Sequence, residues 1–150
     1  MKGRLVNMAS TTGVFPAYAM DMKILTATDT YSTVKDLEEI TCSIDTGVEE
    51  WNSMSEEGWR RALATSKALT LDCKGKRCWG DTGNDYVAGL WNKSGKDCET
   101  SVQLTFPNGD SLTMDVVVQV TAAFGGSATG IQPLEFSLMS NGEPVYTEAA

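Results

Sequence analysis

The chain contains no histidine. That removes the side chain most often used as a general base and a leading metal ligand. Neither a Ser–His–Asp nor a Cys–His device can be built within it, so any catalysis would have to rest on carboxylates or lysine. Basic residues are scarce: 12 Lys and Arg stand against 20 Asp and Glu, for a net charge of −8. Such a surface repels phosphate and argues against nucleic-acid binding by counterion release. Long apolar runs are missing too. The longest weakly polar run, 13–20, stops at Asp21 and is too short to cross a membrane. The segment 1–7 has positive charges but no apolar stretch behind them, so no export signal is expected. The compartment expected from this is the cytoplasm, with Cys42, Cys73, Cys78 and Cys98 as reduced thiols.

What remains is a chain of 150 residues, 41% hydrophobic and 21% charged, the balance of one ordinary globular domain spanning 1–150. Residues 1–30 show no sustained period. They mix small residues (Ala9, Ser10, Thr11, Thr12, Gly13) with the anchors Val14, Phe15 and Tyr18. They are expected to form an arm, with a strand over 20–26. Beyond it five segments alternate at period two: Ile40/Cys42/Ile44, Leu69/Leu71/Cys73, Val102/Leu104/Phe106, Leu112 to Val120 with Val117 out of phase, and Leu134/Phe136/Leu138. This predicts half-buried antiparallel strands, with Cys42 and Cys73 on core-facing phases. Pro107-Asn108-Gly109 predicts a tight hairpin. A short helix is expected with Asn84 as cap, Val87, Leu90 and Trp91 on one face, Lys93 near its end and Gly95 closing it. The spacing of Ser53 and Glu56 predicts a further helical turn over 55–63. The fold class is mainly β: an antiparallel sandwich or partly closed barrel with one short flanking helix, an extended arm and loop, and a tail over 143–150.

Several clusters invite a chemical reading. Cys73 and Cys78 lack the second close pair that a structural zinc site needs, so they read as core or bystander thiols and no metal site is assigned. Glu49, Glu50, Glu56 and Glu57 could offer an acid–base pair, but they flank an expected loop and read better as a solvated charge run. Asp81-Thr82-Gly83-Asn84-Asp85 lacks the closing Glu of a calcium loop and reads as a turn leading into the helix. Lys74-Gly75-Lys76-Arg77 is one basic run in an acidic chain. Trp91 is expected to pack from helix to core, whereas Trp51 and Trp59 sit in polar surroundings and suit a protein interface. Charge is segregated: 32–59 holds eight acids and one base, 60–80 six bases and one acid, and 81–150 nine acids and two bases. The bands are either solvated strand faces or the two halves of a head-to-tail contact between copies.

The ordered set of Asp29-Thr30-Tyr31, Ser43-Ile44-Asp45-Thr46-Gly47-Val48-Glu49-Glu50-Trp51, Gly58-Trp59-Arg60-Arg61-Ala62-Leu63, Lys74-Gly75-Lys76-Arg77, Gly80-Asp81-Thr82-Gly83-Asn84-Asp85-Tyr86-Val87-Ala88-Gly89-Leu90 and the Phe106-Pro107-Asn108-Gly109 hairpin resembles the tail tube proteins of tailed bacteriophages, from about 21 to 144. Related tubes occur in contractile tails and phage-tail-like bacteriocins. The resemblance implies a non-enzymatic tail-tube domain without cofactor, assembled as stacked hexameric rings whose lumen conducts double-stranded DNA without binding it specifically. It implies tape-measure, terminator and baseplate or distal tail partners, a sheath in contractile members, no membrane, and residence in the virion tail after assembly in the host cytoplasm. On this reading Val14, Phe15, Trp51, Trp59, Arg60 and Arg61 are candidate interface residues, and Asp45, Asp72, Asp115 and Glu135 candidate lumen-facing acids. The rival from another class is a carbohydrate-binding β-sandwich using exposed Trp; a carboxylate hydrolase lacks a convincing acid–base pair.

Overall fold

The computed structural model describes residues 12–149; the expectations on Ala9, Ser10, Thr11 and the segment 1–7 lie outside the described residues. Eight strands follow in order: β1 (Asp21–Ala27), β2 (Thr30–Thr33), β3 (Leu37–Asn52), β4 (Arg60–Lys76), β5 (Glu99–Thr105), β6 (Ser111–Ala122), β7 (Pro133–Ser140) and β8 (Val145–Thr147). One helix, α1 (Thr82–Ala88), and two single 3-10 turns lie between them, and a third 3-10 turn, Ala17–Ala19, precedes β1. All pairings are antiparallel, in the order β2-β1-β5-β6-β7-β4-β3, with β8 on the side of β6.

β6 makes this one sheet into two layers. Residues 111–117 pair with β5, and residues 116–122 pair with β7. The sheet folds over along that strand, so that β1 comes to face β4 and the sulfurs of Met22 and Cys73 lie 3.9 Å apart. The result is sandwich-like and not closed. The alternating positions fill the space between layers: Leu71 and Cys73 from β4, Leu134, Phe136 and Leu138 from β7, Val102 and Leu104 from β5. Phe136 is 1% exposed at the centre. All five alternating segments fall within strands, except that Phe106 lies one residue past β5. The strand expected over 20–26 is β1, which contributes Met22 and Ile24 to the core. Among the described residues, the part of the expected arm outside the sheet is therefore 12–20.

The helix differs from expectation in both its ends. Asp81, not Asn84, is the cap: its side chain accepts from Asn84 N at 3.0 Å and from Lys35 N at 3.1 Å. The helix stops at Gly89 rather than continuing to Gly95. Leu90 is buried just past its end, while Trp91 is exposed and meets Phe124 edge-on at 5.5 Å instead of packing into the core. Gly83 is needed because a Cβ there would approach the Thr33 carbonyl to 2.5 Å.

Asn84 is fully buried and acts as a clamp. Its Oδ1 accepts from Cys78 N (3.0 Å) and Arg77 Nη1 (2.8 Å), and its Nδ2 donates to the carbonyls of Lys35 and Lys76, both at 3.0 Å. Arg77, with 6% of its side chain exposed, also pairs with Asp85 at 2.7 Å and lies 4.0 Å from the Trp79 ring centre. A buried guanidinium needs such satisfaction to avoid a large desolvation cost. The distinctive stretch 77–90 thus fastens the helix to the end of β4 and to the β2–β3 connection.

At the other end the chain is tied back by Asp110. The Tyr146 hydroxyl donates to it at 2.5 Å and Ala149 N at 2.8 Å, while Tyr146 stacks on Phe106. The Tyr146 hydrogen bond, then the Ala149 N–H, hold Asp110 below the usual carboxylate range, and the Asp110 contact pushes the Tyr146 phenol above its ordinary value. The expected hairpin is present, with Phe106 N donating to Asp110 O at 2.8 Å and Gly109 at φ 97°.

Candidate assembly surface

β3 and β4 are 16 and 17 residues long, about three times the usual strand. Their pairing runs from Leu37↔Gly75 out to Asn52↔Arg60. β7 accompanies β4 only from Thr70 to Lys76. Among the described residues, 60–69 therefore have β3 as their only strand neighbour, and a two-stranded ribbon of roughly 30 Å stands out from the body. The region expected to be a loop around Trp51 and Trp59 is this ribbon. Only its tip turns, as a 3-10 turn over Met54–Glu56 capped by Ser53, and 60–63 is strand rather than helix.

Beyond the core the ribbon keeps apolar residues between polar ones, with Thr46 and Lys67 on the core-side face. Ile44 opposes Leu69 on the core-side face, and Val48 opposes Ala64 beyond a bulge at Gly47/Val48. Ile44 is 71% exposed, and Val48, Trp51, Leu63, Met54 and Trp59 are exposed as well. Cys42, expected in the core, is exposed for the same reason, whereas Cys73 and Cys98 are buried. Burial, with the Asp72 carboxylate second, pushes the Cys73 thiol up to about 12. Cys78 is half-buried and raised chiefly by its hydrogen bond to Asp36. At the ribbon root an apolar groove of about 620 Å³ opens between Cys42, Ile44 and Leu69 on one side and Leu112, Pro144 and Tyr146 on the other.

The acidic and basic bands of the sequence are the two arms of this hairpin. Their charges meet within the chain: Glu50 with Arg60 at 3.7 Å, Glu56 with Arg61 at 3.6 Å, Glu38 with Lys76 at 3.0 Å. These exposed pairs contribute little each, but they account for part of the segregation without a second copy. The glutamates considered for acid–base work are likewise spread along an exposed ribbon.

Trp51, Trp59, Arg60 and Arg61 come together on the ribbon, with the Arg61 guanidinium 5.9 Å from the Trp51 ring centre. Val14 and Phe15 do not join them; they lie in the segment before β1. The exposed tryptophans form no single platform of the kind a sugar ring would need, since Trp79 and Trp91 sit at the opposite end of the sheet. Of the candidate acids, Asp45, Asp72 and Glu135 share the outward face of the β3-β4-β7 layer, with Asp72 accepting from Ser137 at 2.6 Å. Glu39 and Lys74 face the same way. Asp115 belongs to the other layer, where Ser101 donates to it across the β5–β6 pair.

The fold is similar to that of phage tail tube-like proteins. The tail of an empty gene transfer agent particle, solved by helical refinement with C6 symmetry, matches with a TM-score of 0.69 at 18% identity, over 90% of this chain and 100% of that one. A chain of the native gene transfer agent virion matches with the same score at 17% identity and the same coverage. The tube-terminating cap of the anti-feeding prophage matches at 0.61 and 12% identity, over 92% of this chain and 93% of that one. At these identities the likeness is one of fold. These neighbours in fold belong to a particle tail, a virion and a tube-terminating cap. No protein-family model matches the chain, and no curated protein gives a significant match.

Proposed function

We propose that the chain is a structural subunit of the tail of a phage or phage-like particle, assembling with copies of itself into stacked hexameric rings. The observation that carries this reading is the ribbon: a long two-stranded arm, exposed on both faces and lined with large apolar side chains. An isolated ribbon of this kind is marginal in water, and an unprotected apolar strand invites association. A subunit that works in a repeating assembly turns that liability into its connector. β2 and β3 pair with no further strand among the described residues, so their outer edges offer backbone groups for lateral contacts, and Trp51, Trp59, Arg60 and Arg61 supply the ribbon's contacts, with Val14 and Phe15 as a second site. The sixfold symmetry of the gene transfer agent tail supplies the ring number. Tape-measure, terminator and baseplate or distal tail proteins are the further partners, and the virion tail, built in the host cytoplasm, is the location.

The lumen wall on this reading is the outward face of the β3-β4-β7 layer, where Glu39, Asp45, Asp72 and Glu135 outnumber Lys74. Duplex DNA carries about one negative charge per ~1.7 Å of axis. A basic wall would grip it at every ring. An acidic wall keeps the duplex near the axis within a layer of water and cations, at a cost that salt screens within about 8–10 Å. Electron microscopy of the purified protein tests the assembly: with rising concentration and an initiating complex present, hollow sixfold tubes are expected, and monomer throughout refutes it. Replacing Asp72 and Glu135 by Lys is expected to slow DNA ejection from assembled particles; ejection at the normal rate removes the charge from the mechanism.

A further inference from the structure

We propose that the C-terminal segment 142–149 is a releasable strap that holds the lone subunit back from assembly, covering the edge of β6 over 111–113 until a neighbouring copy takes that edge; this rests on the tube reading above. β7 leaves β6 at Val116, and β8 then follows on the same side, pairing Thr113, Leu112 and Ser111 with Val145, Tyr146 and Thr147. Phe106 N donates to the Asp110 carbonyl and Asn141 N to the Asp115 carbonyl, both at 2.8 Å. Successive residues of a strand aim their backbone groups at opposite neighbours. Leu112 therefore aims at β5, while Ser111 and Thr113 aim at β8. With β8 gone, those two residues present their N–H and C=O groups as an open edge, a template for another strand.

One carboxylate does most of the holding. None of 142–149 is buried, and Pro144 alone is half-buried. The strap swings from a fixed point, because Asn141 Nδ2 also donates to Glu99 at 3.3 Å. Beyond that point the chain bulges: residues 141–144 stand opposite only 114–115 of β6, with Gly142 at φ 120°. The side-chain attachments of 145–149 among the described residues converge on the 106–110 hairpin. Asp110 accepts from both the Tyr146 hydroxyl and Ala149 N. Tyr146 stacks on Phe106 with ring centres 5.9 Å apart, and a Cβ on Gly109 would meet the Ala149 methyl at 3.0 Å. A short exposed strand held in this way opens locally at a small fraction of the cost of unfolding the sandwich. Opening bares more than the edge. Pro144 and Tyr146 wall the groove whose other side is Ile44 and Leu69. Their departure joins Leu112 to the exposed apolar root of the ribbon in one continuous surface. A neighbouring copy gains a strand edge and an apolar floor there, and must compete with the strap for both.

The test uses Asp110→Ala, which removes both contacts of the latch and keeps the backbone bond from Phe106 N to Asp110 O, with circular dichroism and thermal melting confirming the fold. In the unassembled subunit the amides of Ser111 and Thr113 should exchange together with those of 145–147, ahead of 116–122, and about tenfold faster in Asp110→Ala than in the wild type. Since only the open form competes for a neighbour, the subunit concentration needed for tube elongation should fall by the same factor. Ending the chain after Gly142 should lower it at least as far. An elongation concentration that stays at the wild-type value while exchange quickens overturns the gating. One that rises in either variant overturns it too, by making the strap part of the contact between copies. Exchange at 111 and 113 as slow as at 116–118, or no faster in Asp110→Ala, removes the strap's local opening whether or not tubes form. Wild-type protein that never assembles beside an initiating complex sinks the tube reading itself, and the gating with it.

Discussion

Replacing Asn84 by Ala would strip the carboxamide that joins three segments of backbone. Cys78 N–H would lose its acceptor, and the Lys35 and Lys76 carbonyls would lose their donor. Arg77 would keep Asp85 and the Cys78 carbonyl. A buried polar group stranded in this way costs about 1–3 kcal/mol. Water entering the vacated space would relieve part of the sum, leaving about 3–4 kcal/mol for the three groups. Against a typical stability of 5–15 kcal/mol, that is a large share. The melting temperature of a chain this size should fall by about 10 °C. Asp81→Ala is the internal comparison. It removes only a cap that accepts two N–H groups, and should cost about 1 kcal/mol. Urea unfolding of the unassembled subunit, with the slope checked for constancy, measures both. A loss below about 1 kcal/mol for Asn84→Ala, or a larger loss for Asp81→Ala, would refute the view that the buried amide, rather than the helix cap, fastens α1 to the sheet.

Three further outcomes follow from the geometry. The Asp110–Tyr146 clamp has two pH limits: the lowered carboxylate contributes above its unfolded pKa and is lost as pH falls through its folded value, while the raised phenol contributes fully below its unfolded pKa and is lost as pH rises through its folded value. Limited proteolysis near β8 should therefore accelerate at both extremes, and Tyr146→Phe should abolish the alkaline acceleration while keeping the stack on Phe106; an unchanged alkaline limb would place its origin elsewhere. In the native subunit a maleimide should label Cys42 quickly and leave Cys73 untouched, given the latter's burial and a thiol pKa of about 12; fast labelling of Cys73 would contradict the packing of β1 on β4. Amide hydrogen exchange in 44–52 and 60–69 should be fast in the subunit and slow in the tube; equal protection in both would mean that the ribbon is not a buried contact.

Much of the fold could be read directly. Period two located the core strands because the alternating residues of β4, β5, β6 and β7 do face a second layer. The hairpin at Pro107-Asn108-Gly109 followed from local turn chemistry alone. The failures share one physical cause: each needed knowledge of a partner segment. Asn84 was read as a cap from its place before an apolar run, but Asp81 sits three residues earlier and reaches Asn84 N, which frees the Asn84 amide for backbone groups 8 and 49 residues away in sequence. Trp91 was read as core because it shares a phase with Val87, a phase that no longer exists once Gly89 ends the helix. The charge bands left a head-to-tail contact open beside solvated strand faces, because nothing local reveals that 37–52 and 60–76 are arms of one hairpin.

The ribbon turns one of these errors into information. Cys42 and Ile44 were assigned to the core by phase, and the phase was right: they lie on the face that carries Leu69 and Leu71. What changes at Thr70 is the width of the sheet: β7 leaves β4 there, while β3 and β4 run on past the body as a two-stranded ribbon. Binary pattern normally turns polar where burial stops, since exposed apolar residues gain nothing and invite aggregation. Here it turns only in part: past Ile44 and Leu69 the same face carries Thr46 with Lys67, then Val48 with Ala64 across the bulge at Gly47/Val48, then Glu50 with Ala62 and Asn52 with Arg60. Ile44 and Val48 stay apolar and exposed on a face that is otherwise becoming polar. Those two positions, rather than the ribbon as a whole, are where a layer supplied by another copy would gain burial.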